Sequence, residues 1–472
     1  MSNVFRKKSI SKMLDESNNS QLKRTLGAFD LTLLGIGMTI GTGIFVLTGI
    51  VAAKHAGPAI SLSFVLAAIA CALTAFCYAE FASTVPISGS VYTYSYATIG
   101  ELVAFIIGWD LMLEYLLAVS AVASGWSAYF QSLLAGFGIH LPAVITSTPG
   151  GGSKGIVDLP AVLIVLIITA LLSKGIKESA RVNNIMVIVK LAVILLFIVA
   201  GVKYVKPANW HPFMPFGFHG IVTGAATVFF AFIGFDAVAT AAEEVKRPKR
   251  DLPIGIISAL AVCTILYIAV SQVLTGMVPY TKLNVSNPVS FALQYVGQDW
   301  LAGIISVGAI TGITTVLLVS LFGQVRISYS MSKDGLLPKM FSKVNPRFQT
   351  PFKNTWLTGI VAALIGGFVN IGTLAELINM GTLLAFTLVS LSILILRYRH
   401  SELKRGFRVP FVPVFPIVSA GLCIYLILNL SKITWIACGI WIVIGLFVYF
   451  NYSKNHSKLN ESVYEDQNFV QK

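Results

Sequence analysis

Apolar runs long enough to cross a bilayer recur along this chain, separated by short polar stretches. A helix needs roughly 20 apolar residues to span the ~30 Å hydrocarbon core. Runs of that kind lie near 29–53, 58–84, 101–134, 159–175, 183–203, 219–242, 253–277, 301–331, 355–372, 375–397, 411–430 and 433–452. The pattern predicts an all-α integral membrane protein of about twelve transmembrane helices. The runs at 101–134 and 301–331 exceed one span, so these helices are expected to tilt or to extend past the bilayer.

The polar stretches give the orientation. With an even number of spans, both termini fall on one side. If that side is the cytoplasm, 27 Lys and Arg lie inside and 6 outside, with Lys190 left within a span. Such a bias is the signature of cytoplasmic loops. It also explains the formal charge of +14 without nucleic acid, because clusters split by apolar runs cannot form one basic face. A tail at 1–28 and another at 453–472 are expected in the cytoplasm, the latter disordered from about Asn451 onward. Met1 to Gln21 is polar and lacks an apolar core, so no cleaved leader is expected.

Composition agrees. The 472 residues are 56% hydrophobic and 11% charged, with a mean hydropathy of +0.80, against about 25% charged in soluble domains. No segment reads as a soluble domain, and 146–153 reads as a flexible external loop. The five cysteines, Cys71, Cys77, Cys263, Cys423 and Cys438, lie in or beside apolar runs with no metal-ligand spacing. They read as buried thiols, so neither a cofactor nor a structural metal is expected. HExxH and GxSxG motifs are missing from the sequence, and no paired catalytic aspartates sit in facing spans. An intramembrane enzyme is therefore not expected.

Charges inside spans cost about 2.5–3.5 kcal/mol each on insertion scales and so mark function. Asp110, Glu114, Lys190 and Asp236 are the candidates, with Glu80 and Glu376 nearer span ends. Lys190 sits in an unbroken apolar run, too deep to snorkel easily. Two readings of it stand: a group that gains and loses a proton during transport, or a permanent ion pair with Glu114 or Asp236. Asp110 and Glu114 share a helix face at i,i+4, with Asp110 either facing inward or solvated near the cytoplasmic boundary.

The first span reads Gly35-Ile36-Gly37-Met38-Thr39-Ile40-Gly41-Thr42-Gly43-Ile44-Phe45. Glycines this dense weaken a helix, and a broken helix in a membrane survives only where it lines a cavity or is buried in protein. The N-terminus of the second half would bind an anionic group such as a carboxylate. The alternative is close helix packing through Gly37 and Gly41. The sixth span carries a matching interruption at Phe232-Ile233-Gly234-Phe235-Asp236, with Phe229, Phe232 and Phe235 as gating or merely packing aromatics. Interrupted helices at corresponding places in two halves point to a transporter site between inverted repeats.

From about Leu22 to Phe450 the chain resembles bacterial members of the cationic amino acid transporter branch of the amino acid–polyamine–organocation superfamily. The resemblance rests on Gly35 to Phe45, Tyr78-Ala79-Glu80-Phe81, Pro86 to Tyr92, Phe232 to Asp236, Glu243 to Pro253, Arg326 through Asp334-Gly335-Leu336-Leu337-Pro338, and Phe407 to Pro413. One departure is Arg247, where the family has Asn before the proline of the Glu-Glu loop. The resemblance implies two inverted five-helix repeats, over 29–203 and 219–397, with helices 1 and 6 broken and two further helices at 411–452. It implies alternating access around a midplane site built from Ile40, Thr42, Gly43, Ile44, Phe232, Ile233, Phe235 and Asp236. The amides around Thr42, Gly43 and Ile44 would take the substrate carboxylate, and carbonyls of the breaks with Asp236 the ammonium. Glu114 matches a third-span acid near the substrate, and Ser320 falls beside the side-chain pocket. Lys190 matches a fifth-span lysine standing where a sodium ion binds in related permeases, which implies proton coupling.

The expectation is a proton-coupled importer of neutral L-amino acids, small or branched, in a bacterial plasma membrane. Its partners are then substrate, protons and lipid. A cationic amino acid carrier, an amino acid exchanger and a membrane amino acid sensor are the alternatives.

Overall fold

The computed structural model describes residues 6–7, 24–86, 90–149, 155–175, 180–399, 403 and 405–459. These residues are helical almost throughout, and their only β pairing is three isolated bridges. A bilayer core offers the backbone no water to bond, so a helix, which satisfies its own N–H and C=O groups, is the stable solution. Eight helices are long and apolar enough to cross a membrane, and one of them, Gly43–Thr84, runs through two spans that turn at Gly57.

The first span is α1 (Ala28–Thr39), a break at 40–42, and a second half running Gly43–Leu47, Thr48–Val51 and Ala52–Ala56. It is followed by α2 (Ile60–Thr84), α3 (Glu101–Gly136), α4 (Leu159–Ser173) and α5 (Ala180–Gly201). The sixth span begins as α6 (Gly217–Val228), tightens over Phe229–Phe232, breaks at 233–234, and resumes over Phe235–Glu244. The rest are α7 (Pro248–Met277), α8 (Asp299–Lys333), α9 (Phe352–Phe368), α10 (Ile371–Arg399), α11 (Val414–Leu428) and α12 (Lys432–Val448). Twelve spans result, at the places the apolar runs predict. As expected, α3 and α8 are the long ones.

Packing follows a rule of exchange. Four pairs of spans five apart lie against each other: α2 on α7, α3 on α8, α4 on α9, and Gly43–Leu47 of the first span on the sixth-span turn Phe229–Phe232. The remaining inner contacts come in exchanged pairs. The helix α1 packs on α7 as α6 packs on α2, and α5 packs on α8 as α10 packs on α3. A two-fold relation between the halves produces such pairing.

The sixth span is the innermost, with 89% of its apolar window buried, against 22% for the span containing α12. Ile433, Ile436, Ile440, Val443 and Phe447 of α12 are exposed, a surface for lipid rather than a core face. Glycines let the inner helices meet: a Cβ on Gly35 would lie 2.6 Å from the Ala259 Cβ of α7, and one on Gly37 would lie 2.7 Å from a Val187 methyl of α5.

At the ends of the spans, two buried carboxylates organise the loops. Glu80 of α2 takes two hydrogen bonds from Arg397 of α10, at 2.8 and 2.6 Å, one from the Val409 amide at 2.6 Å, and an ion pair with Arg405 at 3.3 Å. Glu101, the first residue of α3, ties more distant parts. It pairs with Arg6 at 3.2 Å and accepts bonds from Tyr96 (3.1 Å), Tyr449 (3.1 Å) and Ser457 (2.6 Å). Its own amide donates to the Arg6 carbonyl at 2.8 Å.

The C-terminal segment therefore corrects one expectation. The chain continues as Tyr449–Ser453 and Lys454–His456, and Ser457 is buried. Ser453 donates to the Leu336 carbonyl (2.7 Å) and the Lys458 amide to the Asp334 carbonyl (3.1 Å). Polar side chains misled the reading, because here they bond to buried groups. Residues 460–472 lie outside the described residues, as do 150–153 of the expected external loop.

Candidate functional site

The two breaks meet at the centre of the molecule. In the first, Ile40 is extended (φ −80°, ψ 102°) and the chain re-enters a helix at Thr42. The first amides of that new half-helix, around Thr42, Gly43 and Ile44, have no acceptor one turn earlier within it and concentrate positive potential there. In the second break, Ile233 is extended and Gly234 has φ +119°, a region that favours glycine. A Cβ at Gly234 would also lie 2.9 Å from the Met38 carbonyl carbon. Between the breaks the contact is backbone to backbone: a Cβ on Gly43 would lie 2.4 Å from the Ala231 Cα.

Side chains from other spans hold the freed carbonyls. The Lys190 ammonium donates to the carbonyls of Gly37 at 2.7 Å and Ile40 at 3.2 Å. Its stem lies on α8, where a Cβ on Gly312 would fall 2.7 Å from the Lys190 Cγ. Lys190 is wholly buried, and the charge-assisted bonds to carbonyls offset part of its desolvation. The Tyr267 hydroxyl of α7 sits 2.9 Å from the Thr39 carbonyl and 2.7 Å from the Ala231 carbonyl. It carries one proton for two acceptors, one at each break. Farther along, Tyr129 donates to the Phe45 carbonyl at 2.7 Å, and Asn379 of α10 donates to the Ala226 carbonyl at 2.7 Å.

A cavity of about 50 Å³ lies at this meeting point. Its polar lining is Thr39, Thr42, Gly43, Gly234 and Asp236 of the breaks, Glu114 of α3 and Ser320 of α8. Its apolar lining includes Ala118, Val122, Phe230, Ile233 and Val316. Three buried polar atoms here, the Thr39 and Thr42 hydroxyls and Glu114 Oε2, find no hydrogen-bond partner among the described residues. Buried polar atoms are seldom left unbonded, so these are positioned to meet a ligand. Asp236 is partly engaged, its Oδ1 accepting from the Gly234 amide at 3.3 Å. The arrangement offers amides to an anionic group, carboxylates to a cationic group, and an apolar lining to whatever joins them.

Of the residues singled out from sequence, the cavity brings together Thr42, Gly43, Glu114, Ile233, Asp236 and Ser320. Ile40 and Ile44 are buried behind it and contribute carbonyls, to Lys190 and to the Thr48 hydroxyl (2.9 Å) respectively. Phe232 packs on Phe64 and Tyr267, and Phe235 on Tyr78 and Phe386. Neither lines the cavity, whose aromatics are Tyr115 and Phe230. Phe230 joins a separate apolar cluster with Leu47, Leu117 and Ile378. Asp110 is buried and lies against α10, where a Cβ on Gly381 would fall 2.9 Å from its Oδ1. Sequence reasoning missed Ala118 and Val122, although 114, 118 and 122 follow the helical i,i+4 spacing that already joined Asp110 to Glu114. Val316 stands in the same relation to Ser320. Among the described residues no group of three or more His, Cys, Asp or Glu is arranged to hold a metal.

Comparison with known proteins supplies the family. The amino acid permease family model matches residues 26–434. The chain is 63% identical to the methylthioribose transporter of Bacillus subtilis (strain 168), covering 98% of this chain and 100% of that one. It is 57% identical to the branched-chain amino acid permease BcaP of the same organism, covering 97% and 99%. A more distant relative, the vacuolar cationic amino acid transporter 4 of Arabidopsis thaliana, is 34% identical over 98% of each chain.

Proposed function

We propose that this chain, which belongs to the amino acid permease family, imports neutral L-amino acids, small or branched, by proton-coupled alternating access. That it is a multi-pass membrane transporter rather than an enzyme follows from the family and the fold. The substrate and the coupling are the proposal. The observation that carries it is the single cavity where both breaks, two carboxylates and an apolar lining converge. A zwitterion fits that division: its carboxylate meets the amides at Thr42 to Ile44, its ammonium meets Asp236 and Glu114, and its side chain lies along Ala118, Val122, Ile233 and Val316. The relative named a branched-chain permease supports an apolar side chain.

Lys190 is the proposed coupling group. Protonated, it grips the carbonyls of Gly37 and Ile40 and steadies the first break. Deprotonated, it is a weaker donor, and the break is freer to move as the repeats at 29–203 and 219–397 rock around the site. Both termini face the cytoplasm of a bacterial plasma membrane in this reading, as the charge distribution favours.

A second reading has a specific support. The relative at 63% identity is named a methylthioribose transporter, and an uncharged thio-sugar would bond its hydroxyls to Thr39, Thr42 and Glu114. The experiment is labelled L-alanine uptake into proteoliposomes under an inward proton gradient, with a sodium gradient as control. Unlabelled leucine, isoleucine, arginine and methylthioribose compete. Proton-driven uptake blocked by leucine and isoleucine but not by arginine or methylthioribose is expected. Block by arginine would assign a cationic substrate with Glu114 as side-chain partner, and block by methylthioribose alone would assign the thio-sugar. Uptake only into vesicles preloaded with substrate would make the protein an exchanger. Binding of alanine without uptake would make it a sensor.

A further inference from the structure

A groove of about 660 Å³ opens between Lys7 and the end of α10. It shares none of the central cavity's lining. Its walls are apolar, from Ile99 at the end of the helix Ser90–Thr98 and from Leu394 and Ile395 of α10. Lys7 and Arg399 supply it with cations, and no carboxylate among the described residues lines it.

The cationic lining is built, not incidental. Lys7 donates to the Thr98 carbonyl, and its neighbour Arg6 is fastened on both backbone and side chain to Glu101. Burial and the facing Arg399 guanidinium both lower the proton affinity of the Lys7 ammonium. Two cations thus line one groove, and an anion bound there would be attracted by both. On α10 the neighbouring Arg397 is committed to Glu80, which fixes the last turn that presents Arg399.

The apolar part of the groove says what carries the anion. Leu391, Leu394, Ile395 and Tyr398 follow i, i+3, i+4, i+7 and form one stripe on α10. Leu391 is 38% exposed and Tyr398 89% exposed, so the stripe runs from the groove along a surface with no protein over it among the described residues. A free phosphate would satisfy the cations and leave this stripe bare. A phospholipid satisfies both, with its phosphate between the cations and an acyl chain along the stripe. Basic pockets at the cytoplasmic ends of spans are suited to anionic headgroups, and an exposed aromatic such as Tyr398 suits the headgroup level.

We infer that this groove is a binding site for an anionic phospholipid, with the headgroup phosphate bridging Lys7 and Arg399 and an acyl chain on Leu394 and Leu391. The leaflet is the cytoplasmic one if the termini are cytoplasmic; the lipid chemistry does not depend on that. Bound lipid would join Lys7 to the end of α10.

The test is native mass spectrometry of the full-length protein in detergent, titrated with phosphatidylglycerol and, separately, with phosphatidylcholine. One phosphatidylglycerol is expected to bind well above the background of either lipid. The double variant Lys7→Gln/Arg399→Gln should weaken it by roughly ten- to thirtyfold, while Lys206→Gln/Lys282→Gln should leave it unchanged. Arg399→Gln alone preserves the Lys7–Thr98 contact and should weaken it by about fivefold, which secures the result if the double variant does not fold. Glycerol 3-phosphate should not displace the lipid. Retention by the folded variants within about twofold of the parent, equal retention of phosphatidylcholine, or displacement by glycerol 3-phosphate would each overturn the site.

Discussion

At the scale of single residues, the chemistry of this protein rests on a few polar groups placed where the membrane makes them costly. Lys190 is the clearest. It is wholly buried, and its ammonium donates to two carbonyls of a broken helix. Lys190→Ala is therefore expected to abolish accumulation under a pH gradient while leaving substrate counterflow measurable in preloaded vesicles. A mutant that still concentrates substrate would return Lys190 to a purely structural role. Such residues were legible in the sequence because a charge within an apolar run has no ordinary explanation. Thr39, Tyr115, Val316 and the other lining residues were not, since Thr, Tyr and Val are unremarkable in any span and only the fold turns them toward a common space.

At the scale of elements, the breaks in the first and sixth spans organise the site, the first announced by dense glycines and the second by Gly234 beside Asp236 in an aromatic run. Two explanations of those glycines were open in the sequence, breakage and close packing, and the structure uses both, divided by position. Gly35 and Gly37 seat α1 against α7 and α5, whereas Gly43 and Gly234 let the two breaks touch. This division makes a paired prediction. Gly43→Ala forces a Cβ to within 2.4 Å of the Ala231 Cα, an overpacking worth about 1–3 kcal/mol, and should lower thermal stability and abolish uptake. Gly41→Ala meets only a Val316 methyl at 3.4 Å and should keep near-parental stability with altered substrate preference. Equal loss in both variants would show that helix breakage, not contact between the breaks, is what the glycines serve. The short helices Ser90–Thr98 and Pro288–Tyr295 escaped the sequence reading, because hydropathy reports depth in a membrane and these elements lie between spans.

At the scale of the whole molecule, the count and place of the spans were readable because a bilayer imposes one length on every crossing. Their arrangement was not, since no periodicity states that α3 lies on α8 or α2 on α7. Orientation rests on charge, and it can be measured directly. With the five cysteines buried, a cysteine placed at Lys206 should react with a membrane-impermeant maleimide in intact cells, and one at Lys339 only after permeabilisation. Both positions are exposed in the fold, and the reverse pattern would invert the topology.

The knot at Glu101 has a consequence for how the chain is made. Its partners Arg6, Tyr96, Tyr449 and Ser457 are spread across almost the whole length of the polypeptide. Arg6 leaves the ribosome before any span has formed, and Ser457 emerges after the last one. The buried carboxylate of α3 therefore enters the membrane early and waits through the insertion of nine further spans for its final donors. During synthesis it is a charged group with open valences at the bilayer surface, and its closure marks the moment at which both ends of a newly inserted chain are brought together.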